Sequence, residues 1–290
     1  MKEIIITKAE LNLKKEIERE FRYKKLTVDS SDRVIDDTEF NHKQEPIHRI
    51  TYRYSPFNNV SERIEFDASN KLIERHVYIE DGHGEITSSI IEYGNGSKTI
   101  KNYEFTDLGK ADKATLTDEK GNVLGYETYV LDDDNRVISE FESDEAHNEL
   151  FKVNREFDCN GQVLKEIEFT QGEVSLVTTN FYENKQLTKI QRGKNLTSCY
   201  STEIRELDRK NRLVKRTTTY HDNGDVEIEV LEYDNCDNVI SNIAIINGRT
   251  VFTNICQYDA SNRLIEEYIM ELNLNGSISC HERLFHAYKE

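Results

Sequence analysis

Two short motifs in the chain carry residue types that bind metals or phosphates elsewhere. His281 and His286 bracket a His-Glu-Arg-Leu-Phe-His run, but a zinc-binding helix separates its two histidines by four residues and these are five apart. On a helix the two imidazoles would diverge, and on a strand they would face opposite sides. The Gly94–Thr99 segment has two glycines, a lysine and a threonine without the spacing or the helix of a phosphate loop, and its Asn95-Gly96 pair predicts a hairpin turn. We therefore expect no metal and no cofactor.

One segment has an unusual excess of negative charge. From Leu131 to Leu150, Arg136 is the only Lys or Arg. A charge run is ordinarily a solvated sheet face or loop. The functional alternative is an acidic patch that attracts and docks a cationic partner. The candidate partner-binding residues are Asp132, Asp133, Asp134, Glu140, Glu142, Asp144, Glu145 and Glu149.

The composition favours a folded but unusually polar protein. Of its 290 residues 36% are hydrophobic and 32% are charged, yet it has 15 Tyr and 12 Phe, too many for a disordered chain. A thin, curled sheet with much solvated surface fits both observations. The formal net charge of -17 argues against nucleic acid and anionic membranes, and it suits a basic protein partner.

The compartment is inferred from cysteines and from the N-terminus. The five cysteines are odd in number, well separated and never in a Cys-x-x-Cys motif, which favours a reducing compartment. The apolar run at Ile4–Ile6 is far too short for a signal peptide, and no stretch approaches the length of a membrane span. We expect a cytoplasmic protein.

The elements that position these residues repeat along the chain. Turn-opening acids recur every 25 or 26 residues in the second half, at Asp132, Asp158, Glu183, Asp208, Asp234 and Asp259. Turn signals of another kind, such as Asn247-Gly248, lie between them. In the first half of the chain the turn signals follow a similar but less regular spacing, with a turn expected near Asp107. The chain therefore reverses about every 12 to 13 residues, a spacing typical of short strands in an all-β fold.

The repeated phrase has a physical explanation, seen best in Tyr258-Asp259-Ala-Ser-Asn262-Arg263-Leu264-Ile265. The Asp carboxylate is expected to accept hydrogen bonds from backbone N–H groups two residues on. The Asn is expected to take the left-handed conformation that a turn with a bulge requires. Other phrases fill that position with Asn70, Asn135, Asn211, Gly161, Asp32 and Asp237. The adjacent apolar pair places one apolar residue on each face of the sheet.

These patterns predict one all-β domain over residues 1–290, a long antiparallel meander of about 18–20 strands in a curled or rolled sheet. Residues 1–27 form a less regular N-terminal cap, and residues 28–290 form the hairpin repeats. Glu16–Tyr23 favours a strand, although Lys8–Glu20 is where a helix would fit best. The two end strands would need caps against edge pairing.

The phrase Tyr-Asp-x-x-Asn/Gly-Arg-Leu-Ile resembles the YD repeat of Rhs-type proteins over about two thirds of the chain. The resemblance implies a long β-meander, because YD proteins build shells of such sheets around a toxin. This chain departs from that pattern, since Asn usually replaces Gly in the turn. Shell-sealing and self-cleaving segments are not recognisable, and 290 residues are too few to enclose a cargo domain.

Three classes of function follow. The first is a non-enzymatic protein-binding protein, in its sharpest form a cytoplasmic immunity or antitoxin protein that masks a basic toxin with an acidic sheet surface. The second is a structural shell or apparatus component related to Rhs proteins. The third is an enzyme that uses carboxylates in a curled β-sheet. Since no catalytic constellation is present, we expect the first and not an enzyme.

Overall fold

The computed structural model describes residues 1–106 and 109–289, so the turn expected near Asp107 lies outside the described residues. The chain forms the following strands: β1 (Lys2–Leu11), β2 (Ile17–Val28), β3 (Val34–Phe40), β4 (Pro46–Tyr54), β5 (Val60–Asp67), β6 (Leu72–Glu80), β7 (Ile86–Tyr93), β8 (Lys98–Phe105), β9 (Ala111–Asp118), β10 (Val123–Leu131), β11 (Val137–Asp144), β12 (Glu149–Phe157), β13 (Val163–Thr170), β14 (Glu173–Glu183), β15 (Gln186–Gly193), β16 (Ser201–Leu207), β17 (Leu213–Tyr220), β18 (Val226–Tyr233), β19 (Val239–Ile246), β20 (Arg249–Tyr258), β21 (Leu264–Leu272) and β22 (Ile278–Lys289). Within the described ranges no helix is long and apolar enough to cross a membrane.

The strands form one closed antiparallel sheet. Each strand pairs with the next along the chain, and β1 pairs with both β2 and β22. The closing register runs from Glu3 opposite Lys289 to Glu10 opposite Glu282. Over the described residues the result is a barrel of 22 strands.

The barrel is hollow. Across the described residues, no strand brings a Cα atom within 8 Å of any strand other than its two neighbours. The accessible surface is 17381 Å², whereas a compact monomer of this mass has about 13,000 Å². A barrel of so many strands is also too wide for its side chains to fill.

The structure confirms the all-β antiparallel meander and corrects two details of the prediction. It has 22 strands instead of 18–20, because residues 1–27 supply β1 and most of β2. The end strands need no caps, because β1 and β22 pair with each other along their edges and close the curled sheet. Glu16–Tyr23 is a strand as expected from Ile17 onward, and the segment Lys8–Glu20 forms the end of β1, a turn and the start of β2.

The turn chemistry is confirmed. The Asp259 Oδ1 atom accepts hydrogen bonds from the N–H groups of Ser261 (2.8 Å) and Arg263 (3.0 Å). Asn262 has φ 65°, in the left-handed region. The other residues predicted for that conformation also have positive φ: Asn70, Asn135, Asn211, Gly161, Asp32 and Asp237.

The adjacent apolar pair marks a β-bulge. Leu264 lies opposite Tyr258 while Glu266 lies opposite Gln257, so Ile265 is the extra residue. Leu264 is half-buried, and Ile265 is 37% exposed. The two apolar residues therefore sit in different environments, and the bulge adds bend and twist to the hairpins that contain it.

The register assigns every strand residue to one of two faces, because directly opposite residues share a face. One face carries exposed apolar side chains such as Ile79, Phe181, Ile204 and Ile255. On the other face most side chains are half-buried. A convex surface spreads its side chains apart and a concave one crowds them, so we call the first the outer face and the second the inner face.

Neighbouring hairpins are tied together at one rim, the barrel end that carries the turns of Asp132, Asp208 and Asp259. Tyr233 donates its hydroxyl to the carbonyl of Leu213 (2.8 Å), one hairpin earlier. Its ring lies 4.4 Å from the Arg212 guanidinium, which is itself paired with Asp208 (2.6 Å). We call this arrangement the rim ladder. It recurs with Asp29, Arg33 and Tyr54, with Asp259, Arg263 and Tyr288, and with Asp132, Arg136 and Phe157, where no hydroxyl is available.

Replacing Tyr233 with Phe should lower the free energy of unfolding by about 0.5–1.5 kcal/mol, because the half-buried Leu213 carbonyl loses its hydroxyl donor. Urea unfolding followed by circular dichroism measures the change. Tyr93→Phe is the matched control, since that hydroxyl has no hydrogen bond within the described residues and the ring is 37% exposed. Equal effects of the two substitutions would contradict the rim ladder.

The rim aspartates make stability depend on pH. Hydrogen bonds from the Arg212 N–H and guanidinium hold the pKa of Asp208 below its ordinary value of 3.8. The Arg263 N–H and guanidinium lower the pKa of Asp259 in the same way, and Arg136 lowers that of Asp132. A carboxyl whose pKa is lower in the folded state stabilises the fold above its unfolded pKa, and that stability is lost as pH falls through the folded value.

The free energy of unfolding should therefore be nearly constant between about pH 7 and 5 and decline below about pH 4. Denaturant titrations at a series of pH values measure this profile. Asp208→Asn keeps an amide oxygen for the N–H groups and removes the charge, so it should make the acid decline shallower. An unchanged slope in that variant would argue against the assignment.

Candidate functional site

The inner face is strongly acidic. Its carboxylates come from both halves of the chain and outnumber its Lys and Arg side chains. The acids are Glu10, Asp37, Glu39, Glu65, Glu74, Glu80, Glu127, Glu140, Glu142, Glu166, Glu168, Glu203, Glu227, Glu229, Glu267, Glu271 and Glu282. The cations are Lys2, Lys8, Arg19, Lys24, Arg63, Lys101, Arg155, Arg192, Arg205 and Arg216.

Every one of these cations is already paired with a carboxylate. Arg216 lies 2.9 Å from Glu229, for example, and Lys24 lies 2.9 Å from Asp37. The remaining pairs are Lys2–Asp32, Lys8–Glu282, Arg19–Glu10, Arg63–Glu65, Lys101–Glu127, Arg155 with Glu140 and Glu166, and Glu203 with Arg192 and Arg205. The acid excess of the inner face is thus left without counter-charge.

Glu203 shows how the paired acids are held. It is 3% exposed, and burial alone would raise its pKa. Hydrogen bonds and charge from Arg205 (2.7 Å) and Arg192 (3.3 Å) outweigh burial and lower the pKa. This carboxylate stays ionised and is saturated by its own neighbours, so it has little to offer a partner.

Five acids of the inner face cluster on β10–β13. We call Glu127, Glu140, Glu142, Glu166 and Glu168 the acidic wall. Glu127 lies directly opposite Glu142, and Val153 separates Glu140 from Glu168 in the next row. Like charges directly opposite in a sheet repel each other, so this arrangement is unfavourable unless a cation approaches.

Two cations serve these five carboxylates. Lys101 reaches Glu127 (2.5 Å) across the intervening strand β9, which is possible because Ala114 lies between them and is fully buried. Arg155 bonds Glu140 (3.0 Å) and Glu166 (2.8 Å).

The pKa shifts of these two cations agree with the pairing. Burial would lower the pKa of Lys101, but the bond to Glu127 outweighs it and the pKa is raised. The bonds to Glu140 and Glu166 raise the pKa of Arg155. Glu142 and Glu168 have no cation within 4 Å in the described part of the chain. Their negative charges therefore face the interior without a partner.

Aromatic rings adjoin the acidic wall. A cavity of about 850 Å³ on the inner face is lined by Tyr52, Tyr78, Tyr103 and Phe105, among others. Tyr103 is in register with Ala114, which is in register with Glu127, so the aromatic lining and the carboxylates form one continuous surface. Carboxylates and the faces of tyrosine rings both attract ammonium and guanidinium groups.

The structure separates the acids that the sequence grouped. Only Glu140 and Glu142 reach the acidic wall. Asp132 caps a rim turn by accepting the N–H groups of Asp134 and Arg136, and Asp133 lies in the same turn. The remaining three lie elsewhere: Asp144 caps the turn at the opposite rim, Glu145 lies in that turn, and Glu149 is on the outer face 3.8 Å from Lys152.

Sequence reasoning missed Glu127, Glu166 and Glu168 because it searched for consecutive charge. In a meander, residues at similar distances on either side of a turn become neighbours. Glu127 and Glu142 stand at such distances from the Asp132 turn, and folding the sequence about each turn would have paired them. That signal was present in the sequence.

The other motifs have structural roles. His281 and His286 do face opposite sides of β22, as expected for a strand, and their Nε2 atoms contact the Tyr268 hydroxyl and the Glu267 carboxylate, each at 2.9 Å. Gly96 has φ 87° in a hairpin turn. Within residues 1–106 and 109–289 no group of His, Cys, Asp and Glu is arranged to hold a metal.

No protein-family model matches the chain, and no curated protein matches it. Among solved structures it is similar to the crystal structure of TcdB2-TccC3-Cdc42, with 13% identity over 85% of this chain and a TM-score of 0.31, and it spans 17% of that chain. It is also similar to a porin-like protein from Bacteroides uniformis (11% identity, 99% and 96% of the two chains, TM-score 0.35) and to one from Bacteroides vulgatus (11%, 98% and 97%, TM-score 0.20). Likenesses at such low TM-scores establish neither a family nor an activity.

Proposed function

We propose that the protein is a non-enzymatic binding protein that receives a basic segment of another protein against its acidic wall. The observation that supports this is the charge pairing of the inner face. Every inner cation is neutralised, while Glu142 and Glu168 are not. A surface left in that state lowers its electrostatic energy when Lys or Arg side chains approach.

The location of the charge strengthens the proposal. A concave wall of one charge sign focuses the field and raises the local concentration of oppositely charged groups. The net charge of -17 draws basic proteins from a distance, and the tyrosines beside Glu127 provide ring faces for the arriving cations. Binding of this kind needs no rearrangement of the strands.

The carboxyl groups support binding over catalysis. A general acid requires a carboxyl pKa raised toward neutral pH. In the described part of the chain, every shifted Asp or Glu pKa is lowered, including those of Glu65, Glu203 and Glu267. Such groups stay ionised at neutral pH and cannot serve as general acids there.

In its sharper form the proposal is an immunity or antitoxin protein of the cytoplasm whose basic segment belongs to a toxin. The acidic inner face and the YD-like phrase support this form. It is tested by co-expressing the protein with a basic toxin encoded beside it. Failure to bind or neutralise that toxin would contradict the immunity role and leave the charge-based binding to be judged separately.

The binding itself is tested with a fluorescent deca-arginine peptide and fluorescence anisotropy at low and moderate salt. Glu142→Gln with Glu168→Gln should weaken binding about five- to thirty-fold, since two partly exposed ion pairs of about 0.5–1 kcal/mol each are lost. Added salt should weaken the wild-type complex.

The matched control removes two acids from the outer face, Glu156→Gln with Glu232→Gln. Both control residues are exposed and have no ion pair in the described ranges, so the change in net charge is the same. The proposal predicts little effect of the control. Equal weakening by both double variants would show that only net charge matters, and it would overturn the assignment to the acidic wall.

A further inference from the structure

One strand of the closed sheet has an edge that no other strand covers. β1 pairs with β2 along its whole length, from Ile17 to Val28. On its other side β2 pairs with β3 only from Lys24 to Val28. The edge of Ile17–Tyr23 that faces away from β1 is therefore open, a length of about 20 Å. We call this segment the β2 edge.

The side chains of the β2 edge are poorly satisfied within the chain. Glu18 and Glu20 are exposed and have no ion pair in the described ranges. The Arg22 Nε atom is buried and has no hydrogen-bond partner there. The Arg22 guanidinium lies 4.0 Å from the Phe40 ring, a contact that supplies no hydrogen-bond acceptor. Arg22 has no ion pair in the described ranges, so a carboxylate from another molecule would supply its counter-charge.

Charged residues at a sheet edge usually prevent pairing with other chains. Such charges prevent pairing when like charges come to lie opposite each other across the two edges. The register of the two strands decides which residues lie opposite. In an antiparallel pair of two identical edges, opposite residues must share a face. Glu20 and Arg22 lie on the outer face and Phe21 lies on the inner face. Only registers centred on a residue therefore fit.

The sequence of the edge selects one of these registers. Centring on Arg19, Glu20 or Arg22 places that residue opposite its own copy and so opposes like charges. Centring on Phe21 places ring against ring, Glu20 opposite Arg22 of the second copy, and Arg22 opposite Glu20. It also sets Arg19 opposite the tyrosine ring of Tyr23. This register opposes no like charges, and it brings a carboxylate to the unsatisfied Arg22.

We propose that a second copy of this chain docks antiparallel on the β2 edge, with its twofold axis at Phe21. The contact is isologous, as expected for a twofold dimer, and joins two barrels through one pair of strands. It involves few residues from each copy, so the dimer is weak and forms at high protein concentration. This inference is independent of the proposed function, because the edge lies apart from the acidic wall.

Sedimentation velocity of the full chain over a concentration series up to about 1 mM tests the proposal. The wild-type protein should shift reversibly from monomer to dimer. Arg22→Glu and Glu20→Arg each oppose like charges at both contacts and should weaken the dimer at least about ten-fold. The double variant Glu20→Arg with Arg22→Glu restores opposite charges and should recover the wild-type dimer.

The rescue separates the contact from a folding defect, and circular dichroism confirms that each variant is folded. Lys25→Glu is the matched control, since Lys25 lies on the outer face of the same strand where β3 already covers the edge. A wild-type chain that stays monomeric overturns the proposal. So does a dimer that survives Arg22→Glu, or a double variant that fails to recover it.

Discussion

The contact between neighbouring hairpins at the rim is the interaction on which the barrel depends. A hollow barrel has no second layer to pack against, and few apolar side chains in the described residues are buried, among them Ile6, Val28 and Val153. Each hairpin must therefore be held in place by its neighbours in the sheet, through backbone hydrogen bonds and through the side chains of the next hairpin. The rim ladder does this by linking the Asp and Arg of one turn to the aromatic ring of the next. A single phrase thus closes its own turn and fixes the position of its neighbour.

Because the hairpins are held together at the rim, the side chains of the inner face need not form a packed core. In a packed domain, inward-facing positions must be apolar or fully paired, because buried charge without a partner is costly. Here the interior is open to solvent, so an excess of carboxylates is tolerated. The acidic wall and the adjoining tyrosines are a consequence of that openness.

The parts of the structure that could be predicted are those encoded locally. Asp259 and Asn262 determine their turn through contacts within five residues, and the spacing of such turns gives the strands. Closure could not be predicted, because it joins Glu3 to Lys289 and no local pattern reports a contact across the whole chain. The acidic wall was found only in part for the same reason. Glu140 and Glu142 lie within one charge run, whereas Glu127 joins them only after the chain folds about the Asp132 turn.

Closure of the barrel is the central claim, and a cross-link between β1 and β22 tests it most directly. Ile5 and Ala287 are directly opposite on the outer face, within the separation that a disulfide requires. Ile5→Cys with Ala287→Cys, mildly oxidised and analysed by peptide mass spectrometry, should form an intramolecular disulfide in the folded monomer. Ile5→Cys with Glu156→Cys, which places the second cysteine on a distant outer-face strand, should not. A folded monomer that fails to form the first cross-link would show that the sheet is open, contradicting the account.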